Sequence, residues 1–221
     1  MKNVKVAIAI ALCVLFIPVL YLLKVYSGLP QIVPVHFDVQ GKPNDYGDKS
    51  ILLITTALLS VVGMCIFFLL RNIHKIDPKK NVQYNANTFN KIAMAIVVFM
   101  AVINVIIISS TVNSSFETGK LLMPLLGIFF AFMGNVMFSL KPNYFVGIRL
   151  PWTLESEDNW RKTHQLAGKI WFAGGLLITI LSLIFSFDFP ELFFFSIIAI
   201  MTFIPMIFSF IEFRKNKKQQ A

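Results

Sequence analysis

The chain has 221 residues, of which 57% are hydrophobic and 14% charged, with 23 Phe and a formal net charge of +9. That balance excludes an ordinary soluble domain, because so short a chain cannot keep this many large apolar side chains out of water. The surplus of bases does not describe a nucleic-acid face: the Lys and Arg residues lie in segments flanking apolar runs, where they act as topology determinants, and no direct nucleic-acid contact is expected.

Six uncharged apolar runs of bilayer length follow one another at about 6–23, 51–70, 92–112, 121–140, 170–187 and 192–211. Each is long enough to cross a hydrocarbon core of about 30 Å at about 1.5 Å per residue. The first follows Lys2 and Lys5, yet it is longer than the apolar core of a signal peptide and no A-x-A-like site follows Leu23, so a retained helix is expected. Alternate connections differ sharply in charge. Sixteen bases fall on one side: Lys2 and Lys5; Arg71, Lys75, Lys79, Lys80 and Lys91; Lys141, Arg149, Arg161, Lys162 and Lys169; Arg214, Lys215, Lys217 and Lys218. Four fall on the other, Lys24, Lys42, Lys49 and Lys120. The positive-inside rule then puts both termini in the cytoplasm. The expected fold class is an all-α, multi-pass membrane protein with six transmembrane helices. It divides into a two-span module with an outward loop (1–70), a third span with its flanking loops (71–120), and a three-span region with a cytoplasmic loop (121–221).

Within the runs, Cys13 and Cys65 read as packing residues rather than as a disulfide or metal site. Pro18, Pro124, Pro205 and the Gly174–Gly175 pair read as kinks held by neighbouring helices. No run contains a carboxylate, Lys, Arg or His, which disfavours proton-coupled transport. Asn104 and Asn135 are expected to hydrogen-bond between helices, each contributing about 1 kcal/mol or less.

The longer outward loop spans Lys24 to Ser50. Pro30, Pro34, Pro43, Gly41 and Gly47 prescribe turns and extended chain, and Gln31 to Val39 alternates well enough for a short strand. His36 with Asp38, Asp45 and Asp48 matches no established metal-ligand spacing, so a partner-contacting loop is the better reading and no metal or other cofactor is expected.

The cytoplasmic segment from Lys141 to Trp171 is the chemically densest part of the chain. Pro142 ends the fourth span, Gly147 permits a turn and Leu150–Pro151 holds the chain extended. Ser156 then caps a helix, with Glu157 and Asp158 set against its positive end. Trp160, His164, Ala167 and Trp171 recur on one face of that helix, which predicts an amphipathic segment lying at the membrane interface before the fifth span. Glu157 to Arg161 and Asp158 to Lys162 are spaced as helical ion pairs.

These residues resemble a known family. The run GNVMFSLKPNYFVGIRLPWTLESEDNWRKTHQLAGKIW is closely similar to the signature of the SdpI family of bacterial membrane proteins, through Gly134–Asn135, Lys141-Pro142-Asn143, Gly147-Ile148-Arg149, Pro151-Trp152-Thr153-Leu154, Trp160 and Thr163–His164. One departure is Leu150, where the signature leads one to expect a small polar residue. Pro34-Val35-His36-Phe37 with Gly41-Lys42-Pro43 and Lys49 resembles the N-terminal module of unknown function often fused to that family. The resemblance implies a bacterial cell membrane protein that protects against a secreted toxic peptide outside and holds a winged-helix repressor inside. The partner-binding residues it implies are Asn143, Gly147, Arg149, Pro151, Trp152, Trp160 and His164 in the cytoplasmic loop, and Pro34, His36 and Gly41 in the outward one. Catalysis is disfavoured, since His36, His74 and His164 are the available histidines and neither an HExxH motif nor a paired intramembrane aspartate is present. A transporter or lipid-handling protein of the envelope is the alternative, because Arg149, Arg161 and Lys162 lie beside interfacial tryptophans.

Overall fold

The computed structural model describes residues 2–38, 43–77, 86–113, 118–185 and 191–219. In chain order the elements are α1 (Lys2–Val25), a 3-10 turn (Tyr26–Gly28), β1 (Ile32–Phe37), β2 (Pro43–Asp48), α2 (Ser50–Arg71), α3 (Ile73–Ile76), α4 (Ala86–Val112), α5 (Thr118–Met137), α6 (Pro151–Glu155), α7 (Glu157–Phe185) and α8 (Glu191–Gln219). Six of the helices (α1, α2, α4, α5, α7 and α8) are long and apolar enough to cross a membrane. Their outward faces carry bare aliphatic and aromatic side chains, such as Ile54 at 65% and Ile184 at 66% exposure. Only a hydrocarbon solvent accommodates such a surface, so the chain is a multi-pass membrane protein.

Three apolar clusters hold the bundle together. At one end, Ala11 of α1, Leu70 of α2, Ile73, Phe89 of α4, Met137 of α5 and Trp160 of α7 meet in one core. At the other end, Leu22, Leu29, Val33, Leu52 and Ile108 pack beneath the hairpin. A third cluster joins α7 to α8 through Ile178, Ile197 and Met201. Six crossings therefore leave the chain's ends and the segment after α5 on one face of the bundle, and the hairpin on the other.

The most extensive close contact between any two helices is that of α5 with α7. The reason is a seam of glycines: a Cβ on Gly134 would collide with the backbone of Phe172, and one on Gly175 with the backbone of Ala131. Close approach of this kind gives packing and dispersion contacts that lipid cannot match. The Gly174–Gly175 pair lies within α7, with Gly175 against the α5 backbone and Gly174 against Met201 of α8. Helices α1, α5 and α8 likewise run through Pro18, Pro124 and Pro205.

Asn104 ties α4 to α2 as expected: its Oδ1 accepts from the Thr56 hydroxyl and its Nδ2 donates to the Thr56 carbonyl, both at 3.2 Å. Asn135 differs. It is exposed on the outer surface of α5, and among the described residues no hydrogen bond ties it to another helix. Cys13 and Cys65 are free and exposed on the helix surfaces, so what they pack against is lipid rather than a protein core.

The expected strand is present as β1, and it pairs antiparallel with β2, which alternation did not disclose; the register runs from Ile32–Asp48 to Phe37–Pro43 with an irregularity around His36. Asp48 Oδ1 accepts from the Ser50 backbone N–H at 2.8 Å at the start of α2. That bond, then the Ser50 hydroxyl, and further the Gln31 side chain and nearby Lys49, hold the Asp48 carboxyl below its usual range. Lys49 Nζ donates to the Leu29 carbonyl at 3.3 Å and lies 5.0 Å from the Tyr26 ring centre, fastening the hairpin to the end of α1.

Candidate functional site

The segment from Leu140 to Ser156 is a short built platform between α5 and α7. Helix α5 ends at Met137, and Pro142 cannot donate a helical hydrogen bond, so the chain leaves the bundle here. Asn143, 4% exposed, organises the turn that follows. Its Oδ1 accepts from the backbone N–H groups of Phe145 and Val146 at 2.9 and 2.7 Å. Its Nδ2 donates to the carbonyls of Lys141 and Val146 at 2.8 and 3.0 Å. One buried amide thereby satisfies four backbone groups that have no helix or sheet to serve them.

Gly147 has a φ of +112°, and a Cβ there would strike the imidazole of His164. Only glycine suits both demands. His164 Nε2 accepts the Ile148 backbone N–H at 3.0 Å, and Nδ1 lies 2.8 Å from the Trp160 carbonyl. Those partners assign the neutral ring with its proton on Nδ1. Trp160 stacks on His164 with centroids 4.0 Å apart, and its Nε1 donates to the Leu140 carbonyl at 2.9 Å.

Leu150 is extended, as expected, but Pro151 opens a helical turn rather than prolonging the extended chain. Pro suits the first helical position because its missing N–H would be unpaired there anyway. Thr153 Oγ1 accepts the Leu150 N–H at 2.9 Å and donates to the Ile148 carbonyl at 2.8 Å. Trp152 then reaches α8: its Nε1 donates to Ser209 Oγ at 2.9 Å and its ring meets Phe210 and Phe213. Asn159 Nδ2 donates to the Ser209 carbonyl at 2.9 Å, and Lys162 bridges Asp158 at 2.8 Å and Glu212 at 3.1 Å. The expected Asp158–Lys162 pair is formed, Arg161 meets Asp158 at 2.7 Å, and Ser156 caps α7 through the Asn159 N–H at 3.2 Å.

The face bearing Trp160, His164 and Ala167 is buried in protein, not laid against lipid. The physical reason is that Trp160 and Ala167 pack into the apolar core and that the loop supplies polar partners there, the Leu140 carbonyl to Trp160 and the Ile148 N–H to His164. The segment also runs unbroken into the fifth span as one helix of 29 residues. Trp171 is part-buried, donating from Nε1 to the Met201 carbonyl at 2.8 Å.

The residues singled out from sequence therefore separate. Asn143, Trp160 and His164 are buried, Gly147 and Trp152 are half-buried, and Arg149 and Pro151 are exposed. Arg149 Nη1 donates to the Tyr144 carbonyl at 2.7 Å, which steadies the guanidinium on the surface beside an exposed Tyr144. A planar, positioned guanidinium of this kind is suited to carboxylate or phosphate. Two clefts flank the platform. One of about 590 Å³ touches Lys141, Pro142, Asp158, Arg161 and His164. The other, of about 510 Å³, lies between Trp152, Glu155, Asn159, Phe213 and Lys217. Ser209 escaped the sequence reading, although a hydroxyl inside the last apolar run was a signal that something polar meets it there. On the opposite face, Pro34 and His36 lie in β1, where the imidazole meets the Asn44 side chain. Gly41 lies outside the described residues.

A six-span membrane bundle with one ordered platform defines the class. Sequence comparison supplies the rest: residues 139–209 match the SdpI/YfhL protein family, and residues 13–60 match a domain of unknown function, DUF1648. The chain is similar to Immunity protein SdpI of Bacillus subtilis (strain 168), with 25% identity over 158 residues, covering 71% of this chain and 72% of that protein. The resemblance to the SdpI family read from the motif residues is thus shown, and the platform falls inside the matched region. No solved structure matches the chain.

Proposed function

We propose that the chain is a non-enzymatic membrane protein giving immunity to a secreted toxic peptide, signalling by sequestering a cytoplasmic winged-helix repressor, or both. The observation that carries this reading is the similarity to Immunity protein SdpI over 71% of the chain, together with the SdpI/YfhL family match that contains the platform. In the proposed arrangement the hairpin of region 1–70 meets the peptide outside, with both termini inside. The platform of region 121–221 meets the repressor. Arg149, Tyr144 and Pro151 are its contact residues, because they are exposed and ordered. Asn143, Gly147, Trp160 and His164 serve the same contact indirectly by shaping the loop.

Expression in a peptide-sensitive strain tests the immunity half: survival is expected, and unchanged killing with the protein present in the membrane refutes it. For the signalling half, a co-expressed repressor is expected to co-purify with the wild-type protein. Arg149→Ala abolishes capture while leaving membrane insertion and the thermal midpoint unchanged. Full capture by that variant would place the contact elsewhere.

A further inference from the structure

A groove of about 430 Å³ runs along the outer surface between α4 and α5. Its walls are Val98, Phe99, Leu125, Ile128 and Phe132, with Lys91 at one end. That volume is in the range of a small-molecule site, and its lining is apolar except for Lys91. The two helices meet at a stacked Phe99–Phe129 pair, whose centroids are 4.3 Å apart. Eight residues back along α4 from Phe99 and eight forward along α5 from Phe129 bring Lys91 level with Met137. The exposed Asn135 is two residues from that level, on the same face as Ile128 and Phe132 by helical spacing. Among the described residues no hydrogen bond or ion pair reaches Lys91. The result is an apolar slot on the lipid-facing surface with a cationic side chain in its lining, and with the exposed amide of Asn135 one helical turn beyond Phe132.

We propose that this groove binds one anionic glycerophospholipid, an acyl chain lying between α4 and α5 and the phosphate held by Lys91 with Asn135 beside it. Charge complementarity selects the occupant. A lysine at the end of a lipid-facing groove keeps its apolar stem in the slot and its ammonium at headgroup level, where phosphate is the abundant counter-charge. The amide of Asn135 supplies a donor to the same headgroup, which explains why a polar residue faces outward on α5.

The test is thermal unfolding of the purified full-length protein in detergent micelles titrated with phosphatidylglycerol or phosphatidylcholine of identical acyl chains. Phosphatidylglycerol is expected to raise the midpoint at lower mole fraction than phosphatidylcholine. Lys91→Gln is expected to raise the half-saturating phosphatidylglycerol fraction about fivefold and to erase the difference between the lipids. Val98→Trp, which fills the slot from an exposed position, is expected to abolish stabilisation by both. Lys169→Gln, an equal loss of charge at another exposed site, is expected to change nothing. The proposal is overturned if neither lipid stabilises the wild type, if Lys91→Gln binds as the wild type does, or if Lys169→Gln loses as much as Lys91→Gln. The last result would mean diffuse attraction to anionic lipid. Should Val98→Trp fail to fold, the lysine pair decides alone.

Discussion

Asn143 shows how one side chain can stand in for secondary structure. Its four hydrogen bonds close a turn that lies outside any helix or sheet. Asn143→Ala leaves two backbone N–H groups and two carbonyls in a tight, part-buried site without partners, at a cost of about 1–3 kcal/mol for each group that water does not reach. Asn143→Asp is the sharper probe. It keeps the acceptor for Phe145 and Val146 but sets an oxygen against the carbonyls of Lys141 and Val146. Both variants are expected to lower the thermal midpoint and to speed protease cleavage within residues 141–150, with Asp no milder than Ala; an Asp variant as resistant as the wild type would show that the donor side of the amide is dispensable. Sequence singled out Asn143 through its motif, and Gly147 as a turn. It could not say that both are buried supports, because burial depends on what folds over them and His164 lies 17 residues beyond Gly147.

At the scale of elements, periodicity and punctuation were informative wherever the cause is local. Ser156 is read as a cap because its hydroxyl needs only the N–H three residues on. The six apolar runs are read as spans because hydrocarbon thickness sets their length. The α5–α7 seam was not legible, since Gly127, Gly134, Gly168 and Gly175 do not name the helix they face. A small residue in a span is compatible with a kink, a hinge or an interface until the partner is known. The seam makes a prediction about bulk: Gly134→Leu should lower the thermal midpoint sharply, because the added side chain meets backbone that cannot yield. Gly28→Ala is the control, with open space around its Cβ, and should leave the midpoint within about 0.5 kcal/mol of the wild type in stability terms. Similar midpoints for the two variants would mean that α5 and α7 can part without loss.

For the whole molecule, charge asymmetry predicts orientation. In a variant with Cys13 and Cys65 replaced by Ala, a membrane-impermeant maleimide is expected to label Tyr46→Cys in intact cells and Arg149→Cys only after lysis. The reverse pattern would invert the protein and with it the assignment of outside and inside partners. The grip on Ser209 bears on what either partner can do from its own side. Trp152 holds that residue's hydroxyl and Asn159 its carbonyl, from two different helices. Turning α8 about its axis by a single residue, about 100°, would break both bonds at once. The last helix is therefore indexed like a gear tooth against a pawl: it can tilt with the bundle, but it cannot spin freely beneath the platform.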